Sequence, residues 1–112
     1  DGGGIWNNVS LSISDSTIAN NRATNGAGLF NTGTIAANLT SSTISSNSAG
    51  SRGGGIANAG TLNISSSTLS GNSAGFGGGI GNQGSLSISS SSISGNSATN
   101  NGGGMDNNGT LS

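Results

Sequence analysis

The chain has 112 residues, one domain's worth, but only 29% are hydrophobic and 4% charged, against about 45–50% and about 25% in ordinary globular domains. Its net charge is −1, from Arg22 and Arg52 against Asp1, Asp15 and Asp106, and Lys, Glu, His, Cys, Tyr and Pro are absent. That balance excludes a thick core, a disulfide scaffold, a basic nucleic-acid footprint and a cationic lipid-binding face, and no apolar run approaches the roughly 20 residues of a membrane span.

Regularly spaced Ile and Leu with low charge also argue against disorder, which favours charged, Pro-rich chains. The sequence opens on Asp1-Gly2-Gly3-Gly4 with neither a start Met nor a signal peptide, and reads as a segment of something longer. A first coil begins near residue 2, where Gly-Gly-Gly leads to Ile5, followed by Asn7, Val9, Leu11, Ile13, Ile18, Asn21 and Ala23. A second begins near 26 with Gly-Ala-Gly before Leu29. It carries two extra residues between Gly33 and Leu39, in Ile35-Ala36-Ala37, and one in the turn from Ala49 to Gly53. The third, near 53, gives Ile56, Asn58, Gly60, Leu62, Ile64, Leu69, Asn72 and Ala74. The fourth, near 77, gives Ile80, Asn82, Gly84, Leu86, Ile88, Ile93, Asn96 and Ala98 at identical offsets. A partial fifth begins near 102 with Met105 and Asn107, after one extra residue in Thr99-Asn100-Asn101. The steps from Ile5 to Leu29, Ile56, Ile80 and Met105 are 24, 27, 24 and 25 residues. Insertions confined to edges and turns mark a structural repeat rather than drifting low complexity.

Within a coil, Ile56, Asn58, Gly60, Leu62 and Ile64 share one parity, the signature of strands, and the step of five to Leu69 places a turn at residues 65–67. Further turns are predicted at 58–60 and 71–77, both rich in turn-forming residues. Each coil thus reads as three short strands around a three-sided rung, and no segment has a helical period. A lone coil cannot bury its own Ile and Leu, whereas coils stacked about 4.8 Å apart with parallel pairing can. The predicted fold is all-β: a single-stranded right-handed parallel β-helix of about 24 residues per coil and about 4.5 coils, right-handedness being the default for parallel crossovers. One core column is Ile5, Leu29, Ile56, Ile80 and Met105. A second is Ile13, Leu39, Ile64 and Ile88, and a third is Ile18, Ile44, Leu69 and Ile93. Ala23, Ala49, Ala74 and Ala98 fill a tight corner. Two more columns are asparagine: Asn7, Asn31, Asn58, Asn82 and Asn107, then Asn21, Asn47, Asn72 and Asn96. These asparagines serve as turn formers, as amide ladders along the axis, or as both. A leucine-rich repeat is the structural rival, since Ile64, Leu69 and Asn72 half match its pattern. Its middle apolar position is a hydroxyl residue here, and the rest of the repeat is Gly-rich.

The motifs IANN (18–21), ISSN (44–47), LSGN (69–72) and ISGN (93–96), each followed by GAGL, GGGI or GGGM, resemble the repeats of polymorphic outer membrane proteins. More broadly, they resemble the β-helix repeats of bacterial surface proteins and autotransporter passengers. The resemblance implies a secreted or surface-displayed fibre with structural or adhesive work. The chain departs from that pattern in having Ile or Leu where Phe is usual, and no C-terminal membrane barrel is visible.

Chemistry is sparse. Glycosidic acid–base catalysis needs two carboxylates about 5–9.5 Å apart, whereas four rungs put Asp106 roughly 19 Å along the axis from Asp1 and Asp15. No His, Lys, Cys or Glu is available to activate a serine, and three scattered carboxylates make no metal site. Residues 102–106 faintly resemble a calcium-binding nonapeptide but lack its period, and no glycine turn is followed by the Lys-Ser/Thr of a phosphate loop. The expectation is a non-catalytic chain without cofactor or metal.

Two surface features remain. Ser10, Ser12, Ser14, Thr61, Ser65, Ser85, Ser87 and Ser89, with Thr17, Thr43, Thr68 and Ser92, predict a flat hydroxyl lattice. It is either a solvating face or an ice-binding array, although such arrays favour Thr. Trp6 and Phe30 fall on adjacent rungs of a column continued by Ala57, Gly81 and Asp106, placed to stack on a glycan, dock a neighbour or lie covered in an assembly. Asn8, Asn38, Asn63 and Asn108 begin glycosylation sequons. The functional expectation is an extracellular structural or adhesive solenoid that extends a fibre, with end-to-end copies or flanking coils as partners and no nucleic acid. The alternative is a carbohydrate- or ice-binding module.

Overall fold

The computed structural model describes residues 2–112. They form a β-solenoid of eighteen short strands and no helix, and no helix long and apolar enough to cross a membrane occurs among them. The strands make four parallel sheets, each one side of the solenoid. The first side stacks Ile5–Asn7, Leu29–Asn31, Ile56–Asn58, Ile80–Asn82 and Met105–Asn107. The second stacks Ser12–Ser14, Ala37–Thr40, Thr61–Ser65, Ser85–Ser89 and Thr110–Leu111. The third holds Thr17–Ala19, Thr43–Ser45, Thr68–Ser70 and Ser92–Ser94. The fourth holds Arg22–Asn25, Ser48–Arg52, Ser73–Phe76 and Ser97–Asn101.

A coil therefore has four strands, not three. The additional strand lies where the composition of residues 71–77 predicts only a turn. Its inward residue is the small alanine of the column Ala23, Ala49, Ala74 and Ala98. Of these, Ala23, Ala49 and Ala74 pack with Ala27 as a cluster apart from the main core. One alanine per strand leaves no apolar alternation to read. Coil-to-coil backbone bonds hold the strand instead, and its register shifts at a bulge in every pair.

The three predicted aliphatic columns are in register and make the main core. Leu29, Ile44, Ile56, Leu69 and Ile80 are fully buried, while Ile5, Ile88, Ile93 and Met105, nearer the two ends, are only partly covered. Leu39 is buried in the second column, paired with Ile13 on one side and Ile64 on the other, and Ile64 pairs in turn with Ile88. The two-residue lengthening that precedes Leu39 in the sequence therefore does not displace it from its column. A fourth column of Ala37, Leu62 and Leu86 joins the core on the second side, and Leu111 continues its register at the exposed end. Ala37, expected within the insertion, takes the leucine position opposite Leu62, so the extra length bulges at Ile35, which is 60% exposed. The two extra residues thus lie between Gly33 and Ala37, ahead of the strand that carries Leu39.

Three of the four corners turn through left-handed backbone. Between the second and third sides stand Asp15, Ser41, Ser66 and Ser90, with φ of 49–50°. Asn20, Ser46, Gly71 and Gly95 follow between the third and fourth sides. The corner leading back to the first side is always glycine: Gly26, Gly53, Gly77 and Gly102. A Cβ at Gly77 would lie 2.2 Å from the Ile80 carbonyl oxygen, whereas one at Gly71 meets nothing closer than 3.8 Å. That difference explains why one column is invariant and the other admits Asn and Ser.

Candidate functional site

Both asparagine columns are corner residues and amide ladders at once. On the first side, Asn7 Nδ2 donates to Asn31 Oδ1, Asn31 to Asn58 and Asn58 to Asn82, each at 2.8 Å, and Asn82 to Asn107 at 2.7 Å. Asn31, Asn58 and Asn82 give a further amide bond to the Thr61, Ser85 and Thr110 carbonyls at 3.0–3.1 Å. In the second ladder Asn21, Asn47, Asn72 and Asn96 are joined at 3.0 Å per step. There each Oδ1 from Asn47 onward also accepts the backbone N–H of the preceding asparagine. The Nδ2 groups of Asn47, Asn72 and Asn96 reach the carbonyls of Ile18, Ile44 and Leu69. These bonds offset the cost of burying an amide, and among the described residues no buried side-chain polar atom lacks a partner. Every bond between one ladder amide and the next is donated toward the later coil, so both ladders are polar along the axis.

A third ladder goes beyond the sequence reading. Ser42, Ser67 and Ser91 each accept the backbone N–H of the serine one coil earlier at 3.1 Å, and each donates to a carbonyl two residues before it at 2.8 Å. Its signal in the sequence is the serine that replaces the middle leucine of a leucine-rich repeat.

The predicted hydroxyl lattice is divided between two sides. On the third side Thr17, Thr43, Thr68 and Ser92 stand in one outward column, beside Ala19, Ser45, Ser70 and Ser94. On the second side Ser14, Thr40, Ser65 and Ser89 align. The neighbouring column of Ser12, Asn38, Asn63 and Ser87 is interrupted by an amide pair, Asn63 Nδ2 donating to Asn38 Oδ1 at 3.1 Å. Ser10 lies before the strand, outside the lattice.

On the first side the outward column Trp6, Phe30, Ala57, Gly81 and Asp106 is in register as predicted. It floors a groove along the axis, flanked by the ends of the fourth-side strands in the order Asn25, Arg52, Phe76 and Asn101. Trp6 is 61% exposed and Phe30 half-buried. Beyond Phe30 the floor drops to Ala57 and Gly81, where a Cβ on Gly81 would come within 3.3 Å of Arg52 Cβ. Arg52 passes over the Phe76 ring, 5.1 Å from its centroid, and its Nη1 meets Asp106 Oδ2 at 2.8 Å. The step from large to small residues leaves a recess of about 110 Å³ between Phe30, Asn25, Arg52, Ala57, Gly81 and Gln83. Sequence reasoning misses Arg52 and Phe76 as site residues, because the bulged strands that carry them read as turns.

Asp106 is thus committed to an ion pair, and Asp15 occupies an exposed corner between other sides, in the first coil. Asp1 lies outside the described residues. No group of three His, Cys, Asp or Glu side chains converges among the described residues. No protein-family model, curated protein or solved structure matches the chain.

Proposed function

We propose that the chain is a non-catalytic scaffold, a rigid segment of a structural or adhesive surface fibre that lengthens by adding coils. The observation that carries this reading is an asymmetry in the glycines that coil stacking demands. Within the stack, a Cβ at Gly28, Gly55 or Gly79 would lie 2.5–2.7 Å from a carbonyl oxygen of the following coil. Gly104 holds the same position in the last coil, yet a Cβ there would meet only Ile93 Cγ2, at 3.5 Å. Only a further coil would require that glycine, so this face is built to continue.

The opposite face is different. Gly33, Gly60, Gly84 and Gly109 each point Cα toward the preceding coil, where a Cβ would lie 2.0–2.3 Å from a carbonyl oxygen. The first coil carries Val9 at this corner. A preceding coil with the same corner would clash with it, so growth is one-sided. Further coils of the same polypeptide suit that arrangement better than end-to-end stacking of copies. Surface display rests on the resemblance of the repeats to those of bacterial surface proteins.

The test is to add one coil at either end. Residues 88–112, repeated after Ser112, continue the winding in phase, and residues 77–101 in place of Asp1 do so at the other end. A coil worth at least about 1 kcal/mol raises the thermal midpoint by roughly 4–8 °C. That rise is expected for the C-terminal addition and not for the N-terminal one, and equal responses at both ends would overturn the one-sided reading. An antibody against the segment should label intact cells, and labelling only after permeabilisation would overturn surface display.

A further inference from the structure

Outside the core and the ladders, one place combines aromatic surface with uncommitted hydrogen-bonding groups: the recess on the first side. Phe30 forms one wall, with the exposed Trp6 on the adjacent rung. The floor is lowered by Ala57 and Gly81. Among the described residues, Arg52 uses one guanidinium nitrogen, Nη1 toward Asp106, and a guanidinium carries five N–H donors. Asn25 accepts the Arg52 backbone N–H through Oδ1 at 3.2 Å, which leaves its Nδ2 group to the groove. Gln83 is exposed on the opposite rim. The hydroxyl faces of the second and third sides offer no aromatic ring.

We propose that this recess and the Trp6–Phe30 step beside it bind a neutral saccharide. A sugar ring presents an apolar C–H face and a rim of hydroxyls that both donate and accept. A matching site therefore pairs a flat aromatic surface with a few placed polar groups at its edge. Phe30 and Trp6 supply the surface, and Arg52, Asn25 and Gln83 supply the edge. Neutrality follows from the charges: Arg52 is offset by Asp106, and no other cation among the described residues lines the recess. The aromatic surface continues beyond the recess from Phe30 to Trp6 on the adjacent rung, so the ligand is a chain rather than a single ring. This inference is independent of whether further coils are added.

Trp6 is the single tryptophan, so its fluorescence reports directly on the groove. The full chain is titrated with cellohexaose, chitohexaose and mannohexaose as neutral probes and with hexagalacturonate as an acidic one. At least one neutral probe is expected to shift the emission to shorter wavelength and saturate with a Kd between about 10 μM and 1 mM. Calorimetry should show Trp6→Ala and Phe30→Ala each weakening that binding about tenfold. Gln83→Ala, at an exposed side chain, should weaken it by a smaller factor. The circular dichroism spectrum of each variant checks that it folds, and Gln83→Ala keeps the test open should Phe30→Ala not fold. No saturable binding of any neutral probe up to roughly 10 mM would overturn the proposal. So would tighter binding of hexagalacturonate, or affinities unchanged in all three variants. A Trp6-dependent self-association in sedimentation velocity that accounts for the fluorescence shift would assign the groove to a second copy and would also overturn it.

Discussion

An asparagine at the centre of a ladder is a donor to one neighbour and an acceptor from the other. Asn58 accepts from Asn31 and donates to Asn82, both at 2.8 Å and both buried. Replacing it with leucine, close to it in shape, leaves one N–H of the Asn31 amide unpaired, the other keeping the Thr61 carbonyl, and takes the donor from the Asn82 side-chain carbonyl. A buried polar group left unpaired costs about 1–3 kcal/mol, so Asn58→Leu should lower stability by about 2–6 kcal/mol in urea unfolding. Asn63→Leu removes a single, exposed amide pair with Asn38, and should change stability by less than about 1 kcal/mol. If the two substitutions cost the same, the ladders are incidental to the fold rather than its polar core.

Strands and corners divide according to how much their side chains say. The first three sides are legible because each strand alternates an inward Ile, Leu or Asn with an outward residue, and because equivalent residues recur at nearly constant spacing. Even Leu39, shifted in the sequence by the insertion before it, is found by its parity and its distance from Ile44, and it lies between Ile13 and Ile64. The fourth side is illegible for the converse reason. Ser73–Phe76 has one small inward residue, Ala74, and a bulge that breaks its parity, so only its backbone bonds make it a strand. The same blindness hides the groove, since Arg52 and Phe76 lie at the ends of fourth-side strands, while Trp6 and Phe30 announce themselves. Corners are encoded unevenly: a left-handed residue costs about 1–2 kcal/mol unless it is Gly, Asn or Asp, yet Ser41, Ser46, Ser66 and Ser90 adopt that conformation. At Gly77, a Cβ would add a 2.2 Å approach to the Ile80 carbonyl oxygen, so Gly77→Ala should destabilise by at least about 2 kcal/mol. Gly71 has a similar φ but open space around it. Asn20 occupies the equivalent corner of the first coil, so Gly71→Asn should stay within about 0.5 kcal/mol of the parent. Matched urea midpoints separate the two cases, and a large loss at Gly71 would show that left-handed φ alone, not crowding, fixes the corner residue.

For the whole molecule, the ladders and glycines together define a direction. The bonds between ladder amides all run toward later coils, Gly104 leaves room for a coil beyond it, and Val9 obstructs one before it. Two copies meeting head to tail would also meet unevenly, because the first and second sides have five strands and the third and fourth have four. Both obstacles can be removed separately. Repeating residues 88–101 after Ser112 completes the fifth coil and makes the trailing face level. If Val9 is the steric block, this completed chain stays monomeric in sedimentation velocity, since the incoming Gly109 carbonyl still meets the valine Cβ. The same chain with Val9→Gly restores the corner found in every later coil. It should then associate head to tail into filaments visible by electron microscopy, with Asn107 of one copy donating to Asn7 of the next. Filaments of the completed chain that still carries Val9 would show that the corner yields, and that copies of this chain can build a fibre on their own.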